Sequence, residues 1–191
     1  MSALIQKIKG APSIKMEIEF ITSEYDSYSS VVIASGESYM LENQLFELYC
    51  DGESKWMINH SEREITIFYH DSTQTDIIEN PMGFFKSIDK GYNFSERANK
   101  VIVNNVNEFV NGKQVWSMDL KPKDKRVPYK TITLSVDTET NLPLLVKYTS
   151  RDDSVYIIVI KSFKILPQPI PQSSFKLPKV IPSDYKSNDL R

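Results

Sequence analysis

The sequence is poor in the residue types on which most covalent, redox and metal chemistry depends. It has one cysteine, two histidines and six glycines among 191 residues. A single cysteine excludes an internal disulfide, and Cys50 lies in an apolar pattern that favours a buried thiol. Neither His60 nor His70 has a cysteine or carboxylate at a recognisable metal-ligand spacing, so no zinc site is expected. Without a Gly-x-Ser-x-Gly or phosphate-loop motif, the chain is not expected to be an enzyme or to need a cofactor.

Long apolar runs and an excess of one charge are also lacking. No stretch approaches the roughly 18 uninterrupted apolar residues of a membrane-spanning helix, so a soluble protein is expected. The 23 basic and 25 acidic residues give a net charge of -2. Because no basic run could follow a phosphate backbone, nucleic acid is not an expected partner. The length and the 40% hydrophobic content predict one domain over residues 1–191.

What the chain has in quantity is short strands that are apolar on one or both faces. Alternating residues and short polar turns predict about eleven strands, connected mostly as antiparallel hairpins. A polar turn region is expected at 23–30 and a polar tail after 178. The predicted strands cover 14–20, 31–34, 38–42, 45–50, 55–59, 64–69, 101–103, 114–122, 131–136, 144–150 and 155–160, with a weaker pattern at 92–94.

Two short helices are expected among these strands. The first covers 2–9, with Ser2 as its N-cap candidate and Pro12 after its end. The second covers 81–89: Pro81 suits a first helical turn, and Gly91 is expected to stop it. A sheet that is apolar on both faces must have its second face covered, paired with another sheet or wrapped around a ligand. The predicted fold is therefore mainly β (α+β), a single curled antiparallel sheet forming an unclosed barrel, with the helices on its concave face.

The aromatic content indicates what such a sheet could hold. Nine Phe, ten Tyr and two Trp exceed what one buried face needs, although each of them taken singly is more simply a core residue. An interior lined by alkyl and aromatic groups suits acyl chains, because each buried methylene gives about 0.8 kcal/mol. A register slip of one residue would exchange the whole lining for its neighbours. The predicted lining is Met16, Ile18, Phe20, Tyr39, Leu41, Phe46, Leu48, Trp56, Met82, Phe84 and Phe85.

Several motifs in a fixed order resemble a known family. They are the N-terminal helix and strand (3–20), Tyr39-x-Leu41, Phe46-x-Leu48-x-x-Asp51-Gly52-x-x-x-Trp56-x-Ile58, Asn80-Pro81-Met82-x-Phe84-Phe85 and Ser174-Phe175-Lys176-Leu177-Pro178. Together they resemble the periplasmic outer-membrane lipoprotein carrier LolA, and most of all the LolA-like proteins of the Bacteroidetes type. The resemblance implies an open barrel with a hydrophobic cavity under its helices. It also implies a carrier of acylated lipoproteins from an inner-membrane release complex to an outer-membrane acceptor.

One position departs from the family pattern. Proteobacterial carriers have a basic residue followed by proline that tethers the helical cover, whereas this chain has Ser35-Gly36-Glu37. A looser cover or a different tether is therefore expected. The resemblance places the protein in the periplasm. Since the chain starts at a helical pattern without a secretion signal, we expect either a cytoplasmic protein or the mature form of an exported one.

Other functions stay open on this resemblance. The same fold occurs in envelope-stress sensors and in lipid or glycolipid carriers, and fold alone does not choose between them. A sensor would need a second domain, for which 191 residues leave little room, and a lipid hydrolase would need a serine next to His60 or His70. A carrier that hands cargo between membranes is expected to be a monomer.

Overall fold

The computed structural model describes residues 2–21, 27–71, 73, 77, 80–94, 98–178 and 181–191. Within these ranges, thirteen strands form one sheet. The helices are α1 (Ser2–Lys9) and α2 (Pro81–Gly91), with a 3₁₀ turn at Gln172–Phe175. The strands are β1 (Ser13–Ile21), β2 (Ser27–Ser35), β3 (Ser38–Glu42), β4 (Phe46–Cys50), β5 (Ser54–Asn59), β6 (Glu64–Tyr69), β7 (Tyr92–Phe94), β8 (Asn99–Ile102), β9 (Gln114–Pro122), β10 (Tyr129–Asp137), β11 (Pro143–Ser150), β12 (Val155–Leu166) and β13 (Lys186–Asp189).

The sheet consists of two antiparallel halves that meet at β1. One half runs from β1 through β2, β3, β4 and β5 to β6, and the other from β1 through β12, β11 and β10 to β9. Strands β7 and β8 pair with the C-terminal and N-terminal ends of β9. Strand β13 runs parallel to β6 at the opposite edge. In the described residues these two edges do not pair with each other, so the barrel is unclosed. Neither α-helix in these ranges has the length and apolar content needed to cross a membrane.

The sheet curls around the two helices. Residues of β1–β4 and of β9–β12 belong to one buried cluster that also contains the apolar faces of α1 and α2. A flat sheet could not bring both of its halves onto two short helices. A bulge between Glu17 and Ile18 lies in the central β1–β12 ladder, where an extra residue increases the local twist and bend. The predicted fold, mainly β with one curled antiparallel sheet and short helices on its concave face, is confirmed.

The convex face carries two smaller apolar clusters, each covered by a connecting segment. Side chains of β9, β11 and β12 lie under what we call the loop cover, formed by Val103, Val106 and Val110. Side chains of β3–β6 lie under the C-terminal cover, formed by Leu177, Ile181 and Tyr185. The apolar residues on both faces of the strands are thus explained by covers on both sides of one sheet.

Some local predictions are corrected. The predicted turn region 23–30 overlaps β2, which begins at Ser27, while 22–26 lie outside the described residues. Pairing with β1 gives this serine-rich stretch its strand conformation, for example Tyr28 opposite Phe20. Helix α1 includes Ser2 as its first residue rather than starting after it, and α2 includes Gly91.

The C-terminal tail is the largest departure from the predicted strands. Residues predicted as a polar tail form β13. Together with β7, which the weaker pattern at 92–94 indicated, it raises the count from about eleven to thirteen. Its sequence, Lys-Ser-Asn-Asp, has no strand pattern. It becomes a strand because the edge of β6 offers unpaired backbone groups, which hydrogen-bond it from Lys186 to Leu190.

Candidate functional site

Helix α2 starts with a side-chain cap that the sequence encodes locally. Asn80 Oδ1 accepts a hydrogen bond from the Gly83 amide at 2.8 Å. Pro81, which has no N–H to satisfy, occupies the first turn. Gly83 is needed at its position because a Cβ there would lie 2.3 Å from Asn80 Nδ2. The predicted helix start at Asn80-Pro81 is confirmed.

The apolar side of α2 fills the concave face of the sheet. Met82, Phe84, Phe85 and Ile88 are at most 1% exposed. The Phe85 ring meets the ring of Phe163 on β12 edge-to-face with centroids 5.9 Å apart, and it packs against Phe84 at 5.1 Å in the same manner. Such aromatic pairs add to the free energy of area burial. The helix therefore covers the apolar side chains of the concave face.

Helix α1 lies beside α2 and extends the same cover. Leu4, Ile5 and Ile8 are buried in the cluster that contains α2. Lys9 Nζ lies 2.6 Å from Asp89 Oδ2, and this ion pair joins the ends of the two helices. Because the pair is partly exposed to solvent, it contributes little to stability and mainly fixes the relative position of the helices. We refer to α1 and α2 together as the helical cover.

The structure brings ten of the eleven predicted lining residues to this region. Eight of them are buried in the cluster under the helical cover: Met16, Ile18, Tyr39, Leu41, Leu48, Met82, Phe84 and Phe85. Phe20 and Phe46 are partly buried and pack against it. Trp56 lies elsewhere, because it pairs with Tyr49 while the next residue, Met57, pairs with Leu48. This register places Trp56 on the convex face, under the C-terminal cover.

The other half of the concave face was missed by sequence reasoning. Its residues come from β9–β12 and share strict alternation along their strands: Met118, Leu120, Ile132, Leu134, Val146, Tyr148, Ile158 and Ile160. The alternation in 114–122 and 131–136 predicted the strands, but it does not tell which face of a strand points inward. The register of the β1–β12 ladder supplies that information, since it aligns Ile18 with Ile160.

A polar contact attaches the N-terminal end of α2 to the sheet. Glu37, in the turn between β2 and β3, accepts a hydrogen bond from Asn80 Nδ2 at 3.2 Å. The same carboxylate oxygen lies 3.7 Å from Nε2 of His70, whose side chain is 3% exposed. The His70 ring packs edge-to-face on Tyr39 with centroids 6.1 Å apart. Glu37 therefore provides a tether for α2 at the place where the family resemblance would have a basic residue.

Cys50 lies next to this tether. Its side chain is fully buried, and its thiol lies 3.8 Å from the Glu37 carbonyl oxygen as a weak donor. Burial raises the pKa of the Cys50 thiol to about 11, so the thiol stays protonated at neutral pH. The predicted buried thiol is confirmed.

The C-terminal end of α2 is attached through its backbone. The amide of Lys123, just after β9, donates to the Gly91 carbonyl at 2.9 Å, and Lys123 Nζ donates to the Lys90 carbonyl at 2.7 Å. The chain then continues directly into β7. Helix α2 thus has one end anchored in the sheet by backbone pairing and one end attached by side chains.

The surroundings of the two histidines favour structural roles. His60 lies between Tyr185 Oη, 2.9 Å from Nδ1, and Glu47 Oε1, 3.1 Å from Nε2, so it attaches the C-terminal cover to β4. His70 faces Glu37. Among the described residues, no three His, Cys, Asp or Glu side chains are grouped to hold a metal ion. What the site presents chemically is an apolar surface under a cover of two short helices.

Comparison with known proteins gives a likeness of fold. No family model and no curated protein matches the chain. An uncharacterised conserved protein from Thermus thermophilus superposes with a TM-score of 0.56 and 11% identity, over 99% of each chain. A DUF1329 family protein from Desulfovibrio piger has a TM-score of 0.48 at 9% identity, covering 92% of this chain and 94% of that one. A LolA superfamily protein from Nitrosomonas europaea has a TM-score of 0.41 at 11% identity, covering 92% and 97%.

The match to the Thermus thermophilus protein extends over the whole length of the chain. At these identities the likeness concerns the fold alone. The narrower resemblance to the Bacteroidetes type stays a prediction.

Proposed function

We propose that this protein is a carrier that binds acyl chains between the concave face of its sheet and the helical cover, without covalent chemistry. The observation that supports it is the composition of that face. Alkyl and aromatic side chains from both halves of the sheet form one continuous surface, from Leu48 on β4 to Leu120 on β9. In the described residues, two helices of 8 and 11 residues cover it together with Ile77. A surface of this kind suits hydrocarbon tails of varied shape.

The energies of the cover and of a ligand are of similar size. The four large buried side chains of α2 (Met82, Phe84, Phe85 and Ile88) are worth about 1.5–3 kcal/mol each, or about 6–12 kcal/mol together. An acyl tail of about 15 methylenes gives about 12 kcal/mol at 0.8 kcal/mol per methylene. A tail can therefore replace the apolar side of α2 on the sheet with little net change in free energy. A carrier needs such a balance, because it must also release its cargo.

The attachment of α2 supports an opening motion in one direction. Its C-terminal end is held by the Lys123–Gly91 backbone hydrogen bond and by the start of β7. Its N-terminal end is held by the Glu37–Asn80 hydrogen bond between side chains. In our proposal the helix swings outward about Gly91, and the acyl chain slides under the freed end near Asn80.

The class of cargo follows from the sequence resemblance rather than from the geometry. We propose acylated lipoproteins as cargo, carried through the periplasm from an inner-membrane release complex to an outer-membrane acceptor. A protein that exchanges cargo with two partners is expected to act as a monomer. The order of motifs from the N-terminal helix to Phe175 supports this assignment, and the Phe175 side chain is fully buried.

Native mass spectrometry of the freshly purified protein, with organic extraction of bound material, tests the proposal. A titration with a fluorescent fatty acid and a triacylated peptide follows. We expect saturable one-to-one binding that is weakened at least tenfold in Phe84→Asp, because the new carboxylate would face the acyl chain from the inner side of α2. Phe109→Asp, which places the same charge at an exposed phenylalanine, serves as the matched control.

Phe84→Ala provides a second variant in case the aspartate prevents folding, which circular dichroism would detect. Absence of both co-purified lipid and saturable binding in the folded wild type would overturn the carrier proposal. The aromatic residues would then be core alone, and the protein would be better sought as a protein-binding module.

A further inference from the structure

Exposed apolar side chains gather on β7–β9 at one edge of the sheet and in the loop that joins β8 to β9. Of the nine large hydrophobic residues that are exposed in the described part of the chain, five lie between residues 94 and 116. We call them the rim patch: Phe94, Val101, Ile102, Phe109 and Trp116. The other four, Leu45, Tyr69, Tyr156 and Leu190, come from separate elements. Single exposed apolar residues are normal, whereas a group of them on one edge indicates an interaction surface.

Strand β8 gives the patch its shape. All four of its residues are exposed, and it pairs only with β9 among the described strands, so its outer edge is free. Val101 lies opposite Val115 on the convex side, whereas Ile102 lies opposite Gln114 on the other side, together with Trp116. Side chains therefore project from both faces of the edge. Because apolar side chains project from both faces, the edge itself is suited to insert into an apolar surface. It does not form a groove that could receive a partner segment.

Lysines accompany two of the three aromatic members of the patch, Trp116 and Phe109. Lys100 Nζ lies 5.7 Å from the ring centroid of Trp116, and Lys113 Nζ lies 4.2 Å from that of Phe109. Residues 98–123 contain four lysines against two acidic residues, Glu108 and Asp119, although the whole chain has a net charge of -2. Asp119 accepts a hydrogen bond from Thr133. The edge thus combines exposed hydrocarbon with local positive charge.

We propose that the rim patch docks on an anionic phospholipid surface. Tryptophan and phenylalanine suit the boundary between head groups and acyl chains, while lysine ammonium groups reach the phosphates from the same positions. Each lysine near an anionic surface adds to the attraction, and salt screens that part. The proposal is independent of the carrier function, because an edge can dock on a bilayer while α2 stays in place.

Flotation with vesicles tests the docking. The protein is used with Trp56→Phe, which leaves Trp116 as its only tryptophan. Vesicles of equal parts phosphatidylglycerol and phosphatidylcholine are compared with vesicles of phosphatidylcholine alone. We expect flotation with the anionic vesicles and a blue shift of Trp116 emission. High salt should lower the partitioning about tenfold or more, and the blue shift should decrease with it.

Ile102→Glu/Phe109→Glu is the test variant, and Tyr156→Glu/Leu190→Glu is the matched control with the same charge change. All four positions are exposed, so both variants should fold, which circular dichroism verifies. We expect the rim variant to lose at least tenfold in partitioning and the control to retain it. Lack of binding by the wild type, equal binding to neutral vesicles, or loss in both variants would overturn the proposal.

Discussion

The two faces of the sheet are both apolar and both covered, but their covers are attached in different ways. On the convex face, the C-terminal cover continues into β13, whose ladder with β6 runs from Lys186 to Asp189. The His60–Tyr185 contact and the Arg63–Asp184 ion pair add to it. On the concave face, α2 makes no ladder with the strands beneath it in the described residues. It lies there through ring and alkyl contacts, with the Glu37–Asn80 hydrogen bond at one end.

This difference indicates which of the two covers a hydrocarbon ligand could replace. Removing the C-terminal cover together with β13 would break the backbone hydrogen bonds to β6, which a hydrocarbon ligand cannot replace. Moving the N-terminal end of α2 off the sheet breaks one side-chain hydrogen bond and exposes apolar surface. In our proposal a hydrocarbon ligand covers that same surface. We therefore expect the convex cover to be a permanent part of the fold and the helical cover to be the functional one.

The largest expected effect comes from truncating a buried side chain of the helical cover. Phe85→Ala should lower the free energy of unfolding by about 3–5 kcal/mol, because it leaves a cavity next to Phe163. Urea denaturation measures the loss. The exposed Phe109→Ala should change stability by less than about 0.5 kcal/mol. A loss below about 1 kcal/mol for Phe85→Ala would contradict the buried position of α2 in the free protein.

The next largest effect is expected for a substitution on the convex face, which should change stability but not ligand affinity. Trp56→Ala should cost about 1–3 kcal/mol, less than a fully buried tryptophan, because its side chain is only partly buried under the C-terminal cover. The affinity of the Trp56→Ala variant for the fluorescent fatty acid should stay within about twofold of wild type, since the sheet separates Trp56 from the proposed site. A tenfold loss of affinity, as expected for Phe84→Asp, would show that the ligand reaches the convex face.

A smaller effect is expected at the start of α2. Asn80→Ala removes both the cap on Gly83 and the hydrogen bond to Glu37, and should lower stability by about 0.5–2 kcal/mol. Asn188→Ala on the exposed β13 is the control. Equal losses in the two variants would argue against a specific role of the cap.

The smallest change in stability, about 1 kcal/mol or less, is expected for Glu37→Ala, and its effect should be seen mainly as faster opening of the cover. The readout is alkylation of Cys50 by N-ethylmaleimide at pH 8. Burial raises the pKa of Cys50 to about 11, so the closed protein keeps the thiol protonated and should react slowly until the pH rises toward that value.

Glu53→Ala, in an exposed turn, is the control for this experiment. Glu37→Ala should react several-fold faster than the control and should bind the fatty acid somewhat more tightly, because less free energy is needed to open α2. Identical alkylation rates in both variants would show that Glu37 does not hold the cover.

Several elements could be predicted because the determining interactions are local. The start of α2 follows from Asn80 and Pro81, whose effects on the backbone reach only three or four residues. Strands such as β3, β6 and β9 follow from alternation over five to nine residues, and their predicted bounds agree with the structure. Part of the concave face could be predicted for the same reason, since residues two apart on a strand share a face.

What the sequence by itself determined is therefore the type of most elements, the curled mainly-β fold and the apolar character of both strand faces. Tertiary structure alone decided that Trp56 lies on the convex face, that β9–β12 supply half of the concave one, and that a polar tail becomes β13. These features depend on which strands pair and in which register. The pairing brings together residues far apart in the chain, such as Ile18 and Ile160, so no local pattern of side chains can specify it.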